Sequence, residues 1–377
     1  MTPIPESAPN LTAASAILID ADSGTVLFSK DAHAKRFPAS TTKVLTALLL
    51  IENCKMTDKI AAPLDVKTVG ESSIYLEPGE TLTAHDALYA LMVRSANDVA
   101  YAVACHIAGN VERFSELMNK RARELGCSDS NFHNPHGLND KLHVTSAHDL
   151  ALIAREAMKH PEFREACRTR RITIDRSMNQ LNRLLISKDK FLDDPNAEGI
   201  KTGWTVPAGK CFVGAKSVGG WRLISVVLKS ADWLADTCAL MDYGFAKYER
   251  VRCLATDSDC GNAPVAGGTN ERVTVRASRD LFRVCERGGI VREPRIELRA
   301  VQAPIEQGEV VGKAVVQNVD GSSCEAPLIA AESVSRAPLI SLAGGFRFSK
   351  LAIVIALIVG GALVVRSRSR VAFLRRR

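Results

Sequence analysis

Three short motifs carry the residue types of serine acyl transfer: Ser40-Thr41-Thr42-Lys43, Ser95-Ala96-Asn97 and Lys201-Thr202-Gly203. A serine hydroxyl attacks a carbonyl only when a neighbouring group takes its proton. Ser40 and Lys43 are three residues apart, which on a helix puts hydroxyl and amine on one face. To act as a base, Lys43 must be neutral part of the time, and desolvation plus a nearby cation such as Lys201 would lower its pKa. In the second motif, the Ser95 hydroxyl can relay a proton between Lys43 and a leaving amine, while the Asn97 amide orients lysine and substrate. In the third, Lys201 and Thr202 supply charge and hydroxyl for a carboxylate. Gly203 leaves room for a substrate backbone. An oxyanion needs two preorganised donors; the backbone N–H groups of Ser40 and Trp204 are the candidates. Each motif is weak alone, and the first two have bland readings, as an N-capping serine beside a surface lysine and as a helix C-cap. It is their combination and order that point to chemistry.

The elements around the motifs must hold them together. Pro38 followed by a run of helix formers predicts a helix over 41–52, with Ser40 at its N-terminus, where the backbone dipole favours negative charge. Helical spacing recurs over 84–95, 98–108, 111–125, 146–159 and 233–248. A hairpin is predicted around Asp22-Ser23-Gly24, joining strands over 16–20 and 25–29. Lys201 to Thr205 reads as a strand, 210–216 as its partner, and 221–229 as a third strand beyond a Gly219-Gly220 turn. The expected fold class is α+β: an antiparallel sheet built from both ends of the domain, with a helical cluster inserted between them. Residues 252–268 read as a link, and short strands from 269 to 334 as a small all-β domain.

Three motifs in this order resemble the signature of penicillin-binding proteins and class A β-lactamases. The likeness extends to Phe37-Pro38-Ala39-Ser40-Thr41-Thr42-Lys43, Phe132-His133-Asn134-Pro135-His136-Gly137-Leu138, His143-Val144-Thr145-Ser146-Ala147, Asn182-Arg183-Leu184-Leu185 and Gly199-Ile200-Lys201-Thr202-Gly203. Together these resemble the serine-type D-Ala-D-Ala carboxypeptidases, from about residue 13 to 245 and more weakly to about 335. The resemblance implies a β-lactamase/transpeptidase-like α/β sandwich and no cofactor. It implies Ser40 as acyl-ester nucleophile, Lys43 as general base, and Ser95 and Asn97 as proton-transfer and positioning groups. Lys201 would bind the carboxylate of a terminal D-alanine, which is removed from peptidoglycan stem pentapeptides, with β-lactams acylating the same serine as inhibitors. Trp204 stands where relatives vary. The alternatives are a class A-like β-lactamase, which needs a glutamate-activated water, and a non-catalytic penicillin-binding scaffold.

The expected domains are a disordered 1–12, a catalytic domain 13–250, a β domain 251–335, a linker 336–350, a transmembrane helix 351–365 and a basic cytoplasmic tail 366–377. The formal charge of +7 suggests nucleic acid, but its location argues otherwise. Eight Lys/Arg and no acids lie from Phe346 to Arg377, which leaves 41 basic against 42 acidic residues elsewhere, a net of −1. No nucleic-acid partner is therefore assigned. Leu351 to Val365 is fifteen apolar residues without a charge, somewhat short of the ~20 of a typical span, which snorkelling by Lys350 and Arg366 would extend. Six arginines follow, at Arg366, Arg368, Arg370, Arg375, Arg376 and Arg377. With the apolar run they predict a single-pass membrane protein, with its C-terminus cytoplasmic and its catalytic domain outside; the resemblance implies that the membrane is a bacterial cell membrane. Met1 to Ala13 has neither a basic n-region nor an apolar h-region, so no signal peptide is expected there and a truncated or processed start is. Of ten cysteines, Cys253 with Cys260 and Cys285 with Cys324 are candidate disulfides. The histidines at His133, His136, His143 and His148 are expected to serve turns and caps rather than a metal.

Overall fold

The computed structural model describes residues 7–289 and 293–338. Residues 339–350 of the expected linker, the expected membrane helix 351–365 and the basic tail 366–377 lie outside the described residues. Among the described residues no helix is long and apolar enough to cross a membrane.

A five-stranded antiparallel sheet organises the first unit, in the order Val26–Lys30, Ser15–Asp20, Trp221–Ser230, Gly209–Val218, Ala197–Thr205. Both faces of this sheet are covered, so its strands alternate between two apolar layers rather than between core and water. On the strand Ser15–Asp20, Ile17 and Ile19 join the core of the helical cluster, while Ala16 and Leu18 face the other layer. On Trp221–Ser230, Ile224, Val226 and Leu228 face the cluster and Leu223 and Val227 the opposite side. That opposite side is closed by the helix Trp233–Lys247 through Leu240, Met241 and Tyr243. The cluster itself holds the helices Lys43–Asn53, Asn97–Ala108 and Ala147–Ala157. A further helix, Pro161–Arg168, has no counterpart in the sequence reading. It carries Pro at its start and buries only Phe163, Ala166 and Cys167, which is too short an apolar stripe to stand out.

Two local departures from expectation bear on the site. The helix expected over 41–52 begins as a 3₁₀ turn, Ala39–Thr42, so Ser40 lies in that turn rather than in the α-helix. The helix expected over 84–95 breaks after Tyr89 into a π-turn, Ala90–Arg94, and ends at Ser95 in left-handed backbone with φ of 64°. Single π-turns inside helices mark positions where a side chain has been re-aimed. A left-handed non-glycine residue costs on the order of 1–2 kcal/mol, which the surrounding packing must offset.

The second unit, Leu254–Leu281 with Pro294–Val315 and the described residues from Glu325 onward, contains a six-stranded sheet. The chain returns to the first unit in between, over Phe282–Glu293 and Val316–Cys324. The stretch read as a link forms strands, Tyr248–Leu254 and Asp259–Ala266. In the latter, the register shifts between Asp259 and Asn262, which hides the alternation that buries Ala263 and Val265. All ten cysteines are free thiols, so neither candidate disulfide is present. The Cys324 thiol instead accepts a hydrogen bond from Asn318 Nδ2 at 3.2 Å, and the Cys260 thiol donates to Ser258 O at 3.3 Å.

Candidate active site

The three motifs meet at one cleft of about 530 Å³, lined by Ser40, Ser95, Asn97, Lys201, Thr202, Gly203 and Trp204. Lys43 is fully buried behind its wall. Its Nζ lies 3.2 Å from Ser40 Oγ, 2.6 Å from Asn97 Oδ1 and 2.8 Å from His136 O. Asn97 Oδ1 and the His136 carbonyl can only accept. A neutral amine has two N–H donors and one lone pair, so its donors go to those two oxygens and its lone pair is left facing the Ser40 hydroxyl. Burial drives the Lys43 pKa well below the usual lysine value, and the Lys201 cation pushes the same way, against Asp98 and Glu71. Geometry and electrostatics thus favour the form of Lys43 that accepts a proton from Ser40.

Asn97 is anchored by its backbone N–H to Ser72 O at 2.7 Å and by Nδ2 to Gly70 O at 2.9 Å, so its Oδ1 is aimed at Lys43. The neighbouring Asp98 carboxylate accepts from Ser73 Oγ, Ile74 N and Leu76 N. Arg176 and Glu80, both side chains fully buried, pair at 2.7 Å, and the same guanidinium donates to Ile74 O and Tyr75 O. These bonds hold the 70–80 segment in place as one wall of the cleft. Ser95 faces the cleft from its left-handed position, while the recorded bonds of Lys43 go to Ser40, Asn97 and His136.

Lys201 lies on the edge strand Ala197–Thr205, 3% exposed, with Nζ donating to Thr202 O at 3.0 Å. Burial lowers its pKa to about 8, with Asp189 and Cys167 opposing. Asp189, also in the cleft wall, is raised by burial to about 6, the Phe191 N–H and the Lys201 cation opposing. Gly203 is where the strand meets the nucleophile's turn: a Cβ there would stand 3.0 Å from Pro38 O and 3.1 Å from Ser40 N. The two candidate oxyanion donors, Ser40 N–H and Trp204 N–H, therefore flank one close approach of backbone to backbone. The Trp204 side chain alternates away from Gly203 and is 62% exposed at the cleft mouth.

The loop 131–145 supplies what the motifs do not. Pro135 O accepts from Thr46 Oγ1 at 2.6 Å, and His136 O accepts from Lys43. Gly137 has φ of +87°, and a Cβ on it would stand 1.8 Å from Ala39 O, so no side chain fits. The histidines act in turns: His136 Nδ1 accepts from Leu138 N–H at 3.2 Å, and His143 Nδ1 from His133 N–H at 2.9 Å. Burial lowers both His136 and His143 to about 3, and both are neutral near pH 7. From the residues themselves this loop read only as a turn, though Phe132 to Leu138 and His143 to Ala147 also carry part of the family resemblance. Its local signal was Asn134-Pro135-His136-Gly137, a punctuation pattern that marks a tight turn without saying what the turn touches.

A buried lysine against a serine, at the junction of an antiparallel sheet and a helical cluster, defines the class of serine acyl-transfer hydrolases of the penicillin-binding, transpeptidase-like fold. The family model described as D-alanyl-D-alanine carboxypeptidase matches residues 3–232, and the chain belongs to that family. A second model, the C-terminal domain of penicillin-binding protein 5, matches residues 248–336. The chain is 29% identical over 340 residues to D-alanyl-D-alanine carboxypeptidase DacF of Bacillus subtilis, covering 87% of each. It is 31% identical over 331 residues to DacA of Haemophilus influenzae, covering 83% of this chain and 82% of that one. Penicillin binding protein 5 from Haemophilus influenzae superposes with a TM-score of 0.74 at 28% identity, covering 88% of this chain and all of that one. A peptidoglycan synthesis regulatory factor (PBP3) from Streptococcus pneumoniae gives 0.77 at 25%, covering 87% and all.

Proposed function

We propose that this chain removes the terminal D-alanine from peptidoglycan stem pentapeptides through an acyl-enzyme on Ser40. The observation that carries this reading is the position of the buried Lys43 Nζ, 3.2 Å from Ser40 Oγ and held by two oxygens that can only accept, beside a cleft that also holds Lys201. Lys43 takes the Ser40 proton as Oγ attacks the penultimate carbonyl. The Ser40 and Trp204 N–H groups receive the oxyanion. Ser95 passes the proton to the departing amine, Asn97 orients the lysine, and Lys201 with Thr202 holds the terminal carboxylate across Gly203. Water then hydrolyses the ester. β-Lactams, which present a strained amide beside a carboxylate, acylate the same oxygen. The test is intact-mass spectrometry after penicillin treatment, in parallel with D-alanine release from a synthetic pentapeptide. A single adduct mapping to Ser40, together with release, supports the reading, and neither adduct nor release sinks it.

The Lys201 role has its own signature in pH. A lysine is cationic below its pKa, so the free enzyme loses this charge as pH rises through about 8. The kcat/KM for a carboxylate-ended peptide is expected to fall about tenfold per pH unit above that point, since kcat/KM reports the free enzyme. A profile flat to pH 9.5 would remove Lys201 from carboxylate binding.

We further propose that residues 13–250 form the catalytic domain, that 251–335 act as a spacer, and that 351–365 anchor the chain in a membrane with the arginine-rich tail cytoplasmic. Fifteen uncharged apolar residues followed by six arginines support this. The full chain is expected in the membrane fraction and a chain ending at residue 338 outside it. Equal partitioning of the two would refute the anchor.

A further inference from the structure

A buried chain of hydrogen bonds runs from the 131–145 loop to the nucleophile's own peptide bond. His133 N–H donates to His143 Nδ1 at 2.9 Å. That nitrogen is therefore unprotonated, and the ring's proton is on Nε2. Nε2 lies 2.8 Å from Thr42 Oγ1, and that hydroxyl donates to Ala39 O at 2.9 Å. Both side chains are buried, His143 at 1% and Thr42 at 0% exposure. With Nε2–H donating to it, the Thr42 hydroxyl has one direction left for its own proton, the Ala39 carbonyl. Ala39 is held with φ of +48°, left-handed for a residue with a side chain, a strained conformation that persists only where surrounding contacts hold it.

The Ala39 carbonyl and the Ser40 N–H belong to one planar trans peptide. Whatever fixes the direction of that oxygen fixes the direction of that N–H. We propose that His143, through Thr42, is a positioning residue that aims the Ser40 N–H at the oxyanion. This rests on the acyl-enzyme reading above. His143 touches neither substrate nor Ser40 Oγ. Its contribution is made when charge develops on the carbonyl oxygen, so it falls on kcat and leaves ground-state binding alone.

The test uses the full chain, with benzylpenicillin acylation and D-alanine release from a synthetic pentapeptide as paired readouts. Thr42→Val and His143→Leu, which break the chain at two places, are expected to lower kcat and the acylation rate by on the order of 10- to 100-fold, part of what a lost oxyanion donor costs. KM should stay within about threefold. Thr42→Ser and His143→Gln, which retain an acceptor and a donor at the same places, should recover most of the loss. The double variant should be little worse than either single one, because one chain is cut twice. If His143→Leu does not fold, Thr42→Val carries the test. An unchanged kcat in Thr42→Val overturns the proposal, as does a loss that appears in KM or that the conservative variants do not rescue. Wild-type chain that neither acylates nor releases D-alanine would overturn the acyl-enzyme reading instead.

Discussion

Replacing Ser40 by alanine is expected to abolish the penicillin adduct and to lower D-alanine release by at least about 10⁴-fold, the scale on which serine hydrolases depend on their nucleophile. In the proposed mechanism the oxygen removed is the atom that forms the ester, and no neighbouring hydroxyl is free to substitute for it. Thr41 and Thr42 are buried, and their hydroxyls are committed to Pro38 O and Ala39 O. Reversible binding of a pentapeptide should persist, because Lys201 and Thr202 are untouched. Thermal stability should change little, since Ser40 is only half-buried and Lys43 keeps two of its three partners. The check is intact mass with and without penicillin, alongside isothermal binding of the uncleaved peptide. An adduct on the alanine variant would place the nucleophile elsewhere in the chain.

Lys43→Met is the second large effect, with a loss of acylation again on the order of 10⁴-fold. Methionine fills the same channel through the core without a basic atom, so Ser40 keeps its proton at the moment of attack. This variant also carries a stability signature with a defined sign. The Lys43 pKa in the folded chain lies below that of the unfolded chain. Between the two values the unfolded state binds more protons, and stability rises with pH. The penalty of burying the cation is fully present below the folded pKa and is relieved as pH climbs toward 10.5. Wild type should therefore gain melting temperature relative to Lys43→Met between pH 7 and 10. A constant difference across that range would mean that Lys43 stays charged in the folded chain, as it is in the unfolded one, and would refute its lowered pKa.

The partners of Lys43 divide along a physical line. Ser40 three residues before it and the Ser-x-Asn pattern at 95–97 were legible because motif spacing and helix geometry are local. So were the strands around Lys201, whose β-branched and aromatic runs are bounded by Gly219-Gly220. The His136 carbonyl was not legible. It is a backbone atom, identical in every residue, brought to Lys43 from 93 positions away by a turn. The Arg176–Glu80 pair, 96 residues apart, and the Thr42–His143 bond, 101 apart, were invisible for the same reason. The broken helix at Ala90–Arg94 was hidden because its composition suits an ordinary α-helix. Three residues beyond it, Asn97 bonds Gly70, Ser72 and Lys43 at once, contacts that no local pattern announces.

By itself, then, the sequence determined the kind of chemistry and the order of the main elements that deliver it, because nucleophile type, helical period and strand composition are properties of neighbours along the chain. Only the tertiary structure decided that Lys43 is dry enough to be a base, that Gly137 must lack a side chain against Ala39 and that His143 is neutral, because desolvation, steric exclusion and tautomer choice are set by atoms distant in the chain that come together only on folding.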